Sequence, residues 1–300
     1  MTPIYVIGSS NTDMVVKSAK IPIPGETILG GTFFMNAGGK GANQAVAAAR
    51  LGGSVTLVAN VGNDLFGKES IDHFKKENIN THFISIDPSL ASGVALINVD
   101  RNGENSITVA PGSNGNLKSA LVNKVLESIK EPSTILLQLE IPIPTVEHTI
   151  REALKQGHRV ILNPAPAQSL DQAVFKNLFL ITPNESEAGL LTGITITDRT
   201  TAERAAAKLS EMGIENIVIT LGAKGAYLHS KDIKKFISSA QVTAIDTTAA
   251  GDCFNGALAV ALSENLNLES AVVFGCAAAS LSVTRMGAQA SMPFRKEIII

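Results

Sequence analysis

From Leu117 to Thr220, short apolar runs alternate with segments of helical periodicity, and this alternation most narrows the folds open to the chain. The spacing predicts helices around Leu117–Ile129, at Thr145–Gln156 and at Thr201–Met212. Between them it predicts strands at Thr134–Leu139, Arg159–Leu162, Leu178–Ile181 and Asn216–Thr220. Strands buried on both faces read as continuous apolar runs, and strands joined through helices run parallel. The expected architecture is therefore α/β: a predominantly parallel sheet flanked by helices. Ile4-Tyr5-Val6-Ile7-Gly8 reads as a first strand of the same kind. In open sheets of this class ligands bind beyond the carboxyl ends of the strands, so the residues after each run carry the functional interest.

Two blocks interrupt the pattern. Met14–Phe34 is broken by Pro22, Pro24, Gly25, Gly30 and Gly31, with short alternating pieces at Thr27–Leu29 and Thr32–Phe34. Ser92–Ala110 alternates through Gly93–Val99, turns at Asp100-Arg101-Asn102-Gly103 and alternates again over Ser106–Val109, the pattern of a hairpin. Together they predict a small β-sheet standing apart as a lid (12–36 and 92–111) on an α/β core (1–11, 37–91 and 112–300). The alternative is an extension of the main sheet.

Asn11 and Asp13 follow the first strand and point the same way if the chain is extended, suited to gripping neighbouring hydroxyls; a polar turn is the plainer reading. Ala37-Gly38-Gly39-Lys40-Gly41-Ala42-Asn43-Gln44 precedes an alanine-rich helix expected at Ala45–Leu51, and its glycines permit close backbone approach. Glu140 ends the Leu136–Leu139 run. Asn184 and Glu187, three apart after Leu178–Ile181, suit either water around a divalent ion or a capping box. Thr220-Leu221-Gly222-Ala223-Lys224-Gly225 makes a short turn that fits a hairpin with or without a nucleotide against it.

The densest stretch is Asp246-Thr247-Thr248-Ala249-Ala250-Gly251-Asp252. Gln241–Ile245 before it reads as a strand end, and Phe254, Ala257, Leu258 and Ala261 after it repeat at helical spacing. Asp252 then falls in a first helical turn behind small residues. That is the makeup of an anion hole with a built-in acid or base, although an Asp there also serves as an ordinary cap. No G-x-G-x-x-G dinucleotide fingerprint occurs, which argues against a nicotinamide dehydrogenase. Gly62–Lys68 matches the first seven positions of a P-loop, but Glu69 stands where the magnesium-binding Ser or Thr belongs.

Composition removes other classes. A net charge of -2 with no basic run, no Trp and two Tyr leave little for nucleic acid to bind. No apolar run is long enough to cross a bilayer, and the chain opens into a strand rather than an export signal, so a cytoplasmic protein is expected. Cys253 and Cys276 lie in apolar helical patterns as buried reduced thiols, and the five histidines lack metal-ligand spacing. Ile298-Ile299-Ile300 gives no final helical pattern, so a frayed end is expected.

Taken together, Asn11-Thr12-Asp13, Gly38-Gly39-Lys40-Gly41-Ala42-Asn43, Pro183-Asn184-Glu185-Ser186-Glu187, Asp246–Asp252 and Thr284-Arg285-Met286-Gly287-Ala288-Gln289 resemble the ribokinase-like (PfkB) carbohydrate kinase family over essentially the whole chain. The resemblance implies a Rossmann-like core with a small β lid that forms a homodimer contact. It implies ATP-dependent phosphorylation of D-ribose at O5, with deoxyribose or another sugar or nucleoside as the alternative acceptor. A non-catalytic sugar-binding protein is the alternative of a different class.

By position, Asp252 is the implied base, and the N–H groups of Ala249, Ala250, Gly251 and Asp252 hold the migrating charge. Asn11, Asp13, Gly39, Lys40, Gly41, Ala42, Asn43, Glu140 and Asp252 are the implied sugar site. Asn184, Thr220, Leu221, Gly222, Ala223, Lys224, Gly225, Gly251 and Asp252 are the implied ATP site. The resemblance further implies Mg2+ organised by Asn184 and Glu187 through water, and K+ ringed by Asp246, Thr248, Ser282, Arg285, Gly287 and Ser291. Cys276 departs from the pattern, standing where relatives often place an asparagine near the adenine.

Overall fold

The computed structural model describes residues 1–299. The chain runs β1 (Ile4–Ile7), β2 (Asn11–Lys17), β3 (Thr32–Gly38), α1 (Lys40–Arg50), β4 (Val55–Gly62), α2 (Leu65–Lys76), β5 (Ile84–Asp87), β6 (Gly93–Val99) and β7 (Asn105–Ala110). It continues α3 (Ser119–Ser128), β8 (Thr134–Leu137), α4 (Ile143–Lys155), β9 (Arg159–Leu162), β10 (Leu180–Ile181), α5 (Glu185–Thr192), α6 (Arg199–Glu211) and β11 (Asn216–Thr220). The last elements are β12 (Ala226–His229), β13 (Lys234–Ile237), α7 (Ala250–Ser263) and α8 (Leu268–Ser282).

The main sheet has the order β13-β12-β11-β10-β9-β8-β1-β4-β5. It is parallel from β11 through β5, while β12 and β13 return antiparallel at one edge. Side-chain alternation sends Leu136, Ile161, Leu180 and Val218 to one face, where they pack with α1, α7 and α8 in one buried cluster. Ile135, Leu137, Val160, Leu162, Ile217 and Ile219 go to the other, beneath α3, α4 and α6. Both faces are covered, which is why the central strands read as unbroken apolar runs.

A second sheet, ordered β3-β2-β6-β7, stands apart from the first. The expected hairpin is β6–β7, and β2 pairs antiparallel with β3 and parallel with β6. By register, Asn11, Asp13 and Val15 share one face with Asn36 and Ala95. Val16, Phe33, Met35 and Leu96 lie on the opposite face and are exposed.

Three expectations need correction. Helix α1 starts at Lys40 rather than Ala45. The glycines that depress helix propensity are tolerated because Gly41, Ala42, Asn43 and Gln44 are buried in the first turns. Gln241–Ile245 is not a strand end: the segment is irregular and exposed, and the Ile245 N–H donates to the Val283 carbonyl at 2.8 Å instead of to a neighbouring strand. Thr27–Leu29 also lies outside any strand, within the irregular connection between β2 and β3. The frayed end expected at Ile300 lies outside the described residues; Ile298 packs against the core and Ile299 is exposed.

Helices α1 and α7 meet through Gly256, where an added Cβ would come within 2.7 Å of the Gln44 carbonyl oxygen and the Ala47 methyl. Gly256→Ala must push the two helices apart. The expected cost is about 1–3 kcal/mol in urea unfolding, and a variant as stable as the parent would show that the close approach is not needed.

Candidate active site

The glycine run joins three chain segments above the carboxyl end of β1. Gly39 has φ +86°, and a Cβ on it would sit 2.7 Å from the Asn11 nitrogen and 2.9 Å from Ser10 Cα. A Cβ at Gly41 would lie 2.5 Å from the Ser9 nitrogen. Only glycine lets the start of α1 approach Ser9–Asn11 so closely. At this helix end the Lys40 N–H donates to Glu140 Oε2 at 2.9 Å, and the Ser9 hydroxyl donates to the same oxygen at 2.6 Å. A carboxylate at a helix N-terminus is electrostatically favoured.

Asp13 projects from β2 beside Gly38, where a Cβ would lie 2.3 Å from its carboxylate oxygens. Its carboxyl is pushed up to about 6, first by burial, then by the negative charges of Glu140 and Asp252. Lys40 is the compensating cation. The charge of Asp252 raises its ammonium pKa most, against burial, with Glu140, Glu187 and Asp13 adding to the rise. One ammonium is thus coupled electrostatically to four carboxylates.

Asp252 is buried at the first turn of α7. Its Oδ2 accepts from Asn43 Nδ2 and its Oδ1 from Gln44 Nε2, both at 2.9 Å. Burial drives its pKa up, while Lys40 and these two amides hold it down. An unpartnered buried carboxylate can rise by some 3–5 units, roughly 4–7 kcal/mol. Two hydrogen bonds to a charged group return about 1.5–3 kcal/mol each, so the donors offset part of the burial, and the pKa of this carboxyl stays raised.

The amide orientations follow from fixed partners. Gln44 must turn Nε2 to the carboxylate, which turns its Oε1 to Gln138 Nε2. Gln44 Nε2 also donates to Asn163 Oδ1 at 3.0 Å, and Asn163 Nδ2 donates to the Thr182 carbonyl at 3.2 Å. On the other side Asn43 Oδ1 accepts from Gln289 Nε2 at 3.1 Å. Gln138 Oε1 is buried without a partner.

Just before α7, Ala249 has φ 59°, a left-handed conformation costly for a residue with a Cβ, and it bends the chain sharply into the helix. The Ala250 N–H closes a turn onto the Thr247 carbonyl at 3.3 Å. Gly251 and Asp252 follow in the first turn, whose N–H groups have no acceptor within the helix. Gly251 is exposed, with no atom within 4 Å of the position of a Cβ, so a ligand can reach this helix end. The Gly251 carbonyl accepts from Asn255 Nδ2 at 2.8 Å, and Asn255 Oδ1 accepts from the Thr182 hydroxyl at 2.6 Å, which ties the loop to β10.

Asn184 and Glu187 form a capping box at α5: Asn184 Oδ1 accepts from the Glu187 N–H, and the Asn184 N–H donates to Glu187 Oε2, each at 2.8 Å. Glu187 is nonetheless part of the site, since burial raises its pKa and it is coupled to Lys40 and Asp252. Asn184 bridges to Thr220, the last residue of β11, and the turn Leu221–Gly225 starts there. In that turn Gly225 has φ +99° and packs against the Ile237 carbonyl.

Asp246 closes the loop before α7. Its Oδ1 accepts from the Thr248 N–H and its Oδ2 from the Gly287 N–H, both at 2.9 Å. Burial pushes this carboxyl up, but the bonds from Thr248 and Gly287 outweigh it and leave the pKa lowered. The Ser282 and Ser291 hydroxyls donate to the Ala279 and Ala288 carbonyls. The Arg285 side chain turns away to Glu297 at 2.7 Å, so only its backbone is available to this loop.

The structure therefore groups Asn11, Asp13, Lys40, Asn43, Glu140 and Asp252, places Asn184, Glu187 and Thr220–Gly225 alongside, and joins Asp246, Thr248 and Gly287 behind the α7 loop. Sequence reasoning did not single out Gln44, Gln138, Asn163, Asn255 or Asn114 as site residues. Gln138 and Asn163 sit at strand ends, the signal that picked out Glu140. Asn114 has no such signal.

The chain matches the pfkB family carbohydrate kinase profile over residues 1–295. It is 43% identical over 296 residues to the ribokinase of Haemophilus influenzae, covering 99% of this chain and 97% of that one. The crystal structure of ribokinase from Thermotoga maritima superposes with a TM-score of 0.90 at 42% identity, covering 99% of this chain and 98% of that one. Arabidopsis thaliana ribokinase complexed with ribose and ATP gives 0.89 at 31% identity, with coverage of 99% and 97%.

The crowding of charge around Asp13 has a measurable consequence. With its native pKa at about 6 against an ordinary 3.8, the folded state binds this proton more tightly than the unfolded chain does. The group favours folding fully below pH 3.8, and that contribution is lost as pH rises through about 6. Asp13→Asn is expected to be more stable than the parent by about 1–3 kcal/mol near pH 8, with the gap closing near pH 4. Urea unfolding at the two pH values reads this directly, and no gap at either would refute the burial of charge.

Proposed function

The chain belongs to the pfkB family of carbohydrate kinases, and on that premise we propose that it transfers the γ-phosphoryl group of ATP to O5 of D-ribose, giving D-ribose 5-phosphate and ADP. The observation that carries this reading is Asp252: a buried carboxylate held by Asn43 and Gln44 at the open first turn of α7. Phosphoryl transfer asks a protein for positioning and charge stabilisation more than for covalent chemistry.

The ribose 5-hydroxyl gives its proton to Asp252 as O5 bonds to the γ-phosphorus and the bond to the β,γ-bridging oxygen breaks, in line, releasing ADP. The first-turn N–H groups from Ala249 to Asp252 receive charge on the transferring phosphoryl group. Since Ala250 also donates to Thr247, Gly251 and Asp252 carry most of that role. Asn11, Asp13, the backbone and ammonium of Lys40, Asn43 and Glu140 hold the sugar, with Gly39, Gly41 and Ala42 shaping the floor. Thr220, Leu221, Gly222, Ala223, Lys224 and Gly225 run along the nucleotide beside Asn184.

Both Glu187 oxygens already accept from Asn184, which fits contact with Mg2+ through its retained water rather than directly. Bound there with ATP, magnesium neutralises phosphate charge. The loop of Asp246, Thr248, Ser282, Arg285, Gly287 and Ser291 fits K+ through backbone carbonyls beside an ionised carboxylate; its part is to hold the α7 loop in shape.

The lid is the dimer contact in this reading. Phe33 and Met35 are 59% and 51% exposed, and with Val16 and Leu96 they form an apolar face turned away from Asp13. A cytosolic site of action accords with the use of ATP and with two buried free cysteines.

ADP release should be measured across pentoses, deoxypentoses, hexoses and nucleosides, with and without K+. Ribose is expected to turn over fastest, with K+ stimulating; no preference for ribose would overturn the substrate assignment. Asp252→Asn is expected to lower kcat by roughly 10²–10⁴ with ribose binding largely retained. Impaired binding with intact chemistry would contradict the role of base.

A further inference from the structure

We propose that Asn114 is a positioning residue that fixes Asn11 as a hydrogen-bond donor to the sugar, and so couples the lid hinge to substrate recognition; this rests on the sugar kinase reading above. Asn114 lies in a short 3-10 turn, Gly112–Asn116, where the chain returns from lid strand β7 to the core. It is 1% exposed.

Its orientation is dictated by backbone. The Ser10 N–H can only donate, and it donates to Asn114 Oδ1 at 2.9 Å. The Ser10 carbonyl can only accept, and it accepts from Asn114 Nδ2 at 3.1 Å. Asn114 Nδ2 then has one further proton, directed to Asn11 at 2.7 Å, so the Asn11 atom facing it must be Oδ1. The Asn11 amide is thereby turned with Nδ2 on its other side. Asn11 therefore offers N–H donors to a hydroxyl oxygen, complementing Asp13 and Glu140, which take hydroxyl protons.

Space for this pair is built in. At Gly93, the first residue of β6, a Cβ would lie 2.2 Å from both Asn11 Oδ1 and Asn114 Nδ2. Three of the crossings between core and lid, Ser10–Asn11, Ser92–Gly93 and Pro111–Asn114, therefore converge on one amide pair. The segments flanking β6 and β7 are anchored to the core: the Ser92 N–H donates to Asp64 Oδ2 at 2.7 Å, and the Ser113 hydroxyl and carbonyl exchange bonds with Asn60 at 2.9 and 2.8 Å. A displacement of β7 at this hinge carries Asn114 with it and so shifts the Asn11 amide.

The test is a double-mutant cycle on Asn11→Ala and Asn114→Ala, reading KM for ribose, KM for ATP and kcat, with thermal unfolding of each variant. Loss of one oriented donor is expected to raise KM for ribose about tenfold in Asn114→Ala, with kcat and KM for ATP within about twofold of the parent. In the Asn11→Ala background the second substitution is expected to add less than about twofold, because Asn114 acts through Asn11. Full additivity, or an equal change in kcat and in KM for ATP, would overturn the proposal.

Asn11→Asp supplies a check should Asn114→Ala not fold. The carboxylate still accepts from Asn114 but cannot donate to the sugar, so KM for ribose is again expected to rise; an unchanged KM would overturn the donor assignment. A parent enzyme inactive on ribose would instead count against the substrate reading, and the cycle would then be run on whichever sugar the panel shows is turned over.

Discussion

A carboxylate buried at a helix start needs donors that cannot wander, and the arrangement of the site follows from that requirement. Asp252 takes both of its donors from consecutive residues of α1, Asn43 and Gln44. The helix carrying this carboxyl must therefore lie directly against the helix carrying the donors. Gly256 makes that contact possible, and the core shared by α1, α7 and α8 maintains it. Gln44 is itself held by Gln138 of the β8 end and Asn163 of the β9 end, so the carboxylate is referenced to the middle of the main sheet rather than to a loop.

The same site is electrostatically uncomfortable. Asp13, Glu140, Glu187 and Asp252 are all coupled to the charge of Lys40, and burial raises the pKa of Asp13, Glu187 and Asp252. Such crowding costs folding stability and is the kind of perturbation that clusters at functional sites. Stability is supplied elsewhere, by the two apolar layers on either side of the sheet.

The parallel sheet was legible because its strands are apolar on both faces: Ile135 and Leu137 look one way and Leu136 the other, and all are buried. The two β blocks likewise stood out by composition. The start of α1 did not, because Gly38, Gly39 and Gly41 argue locally against helix, and only burial against Ser9 and Ser10 reverses this. Gln241–Ile245 misled in the opposite sense: it alternates like a strand, yet its neighbour is the end of α8, not a sheet edge. At the site, charged residues at strand ends were readable, since a carboxylate after an apolar run is conspicuous. The amides were not. Gln44, Asn163 and Asn114 matter through partners far away in sequence, and neither periodicity nor spacing reports such pairings.

Gln289 has a consequence for biosynthesis. It reaches back to donate to Asn43 and to the Gly38 carbonyl, while its own carbonyl accepts from Arg50, which is locked in turn to Glu77. The donor pair that holds the Asp252 carboxyl is therefore braced by a residue translated nearly 250 positions after it. A nascent chain emerges from the ribosome amino end first, so α1 and the sheet can assemble while Asn43 still lacks this support. The hydrogen bond that braces Asn43 can then form only after residue 289 has cleared the exit tunnel.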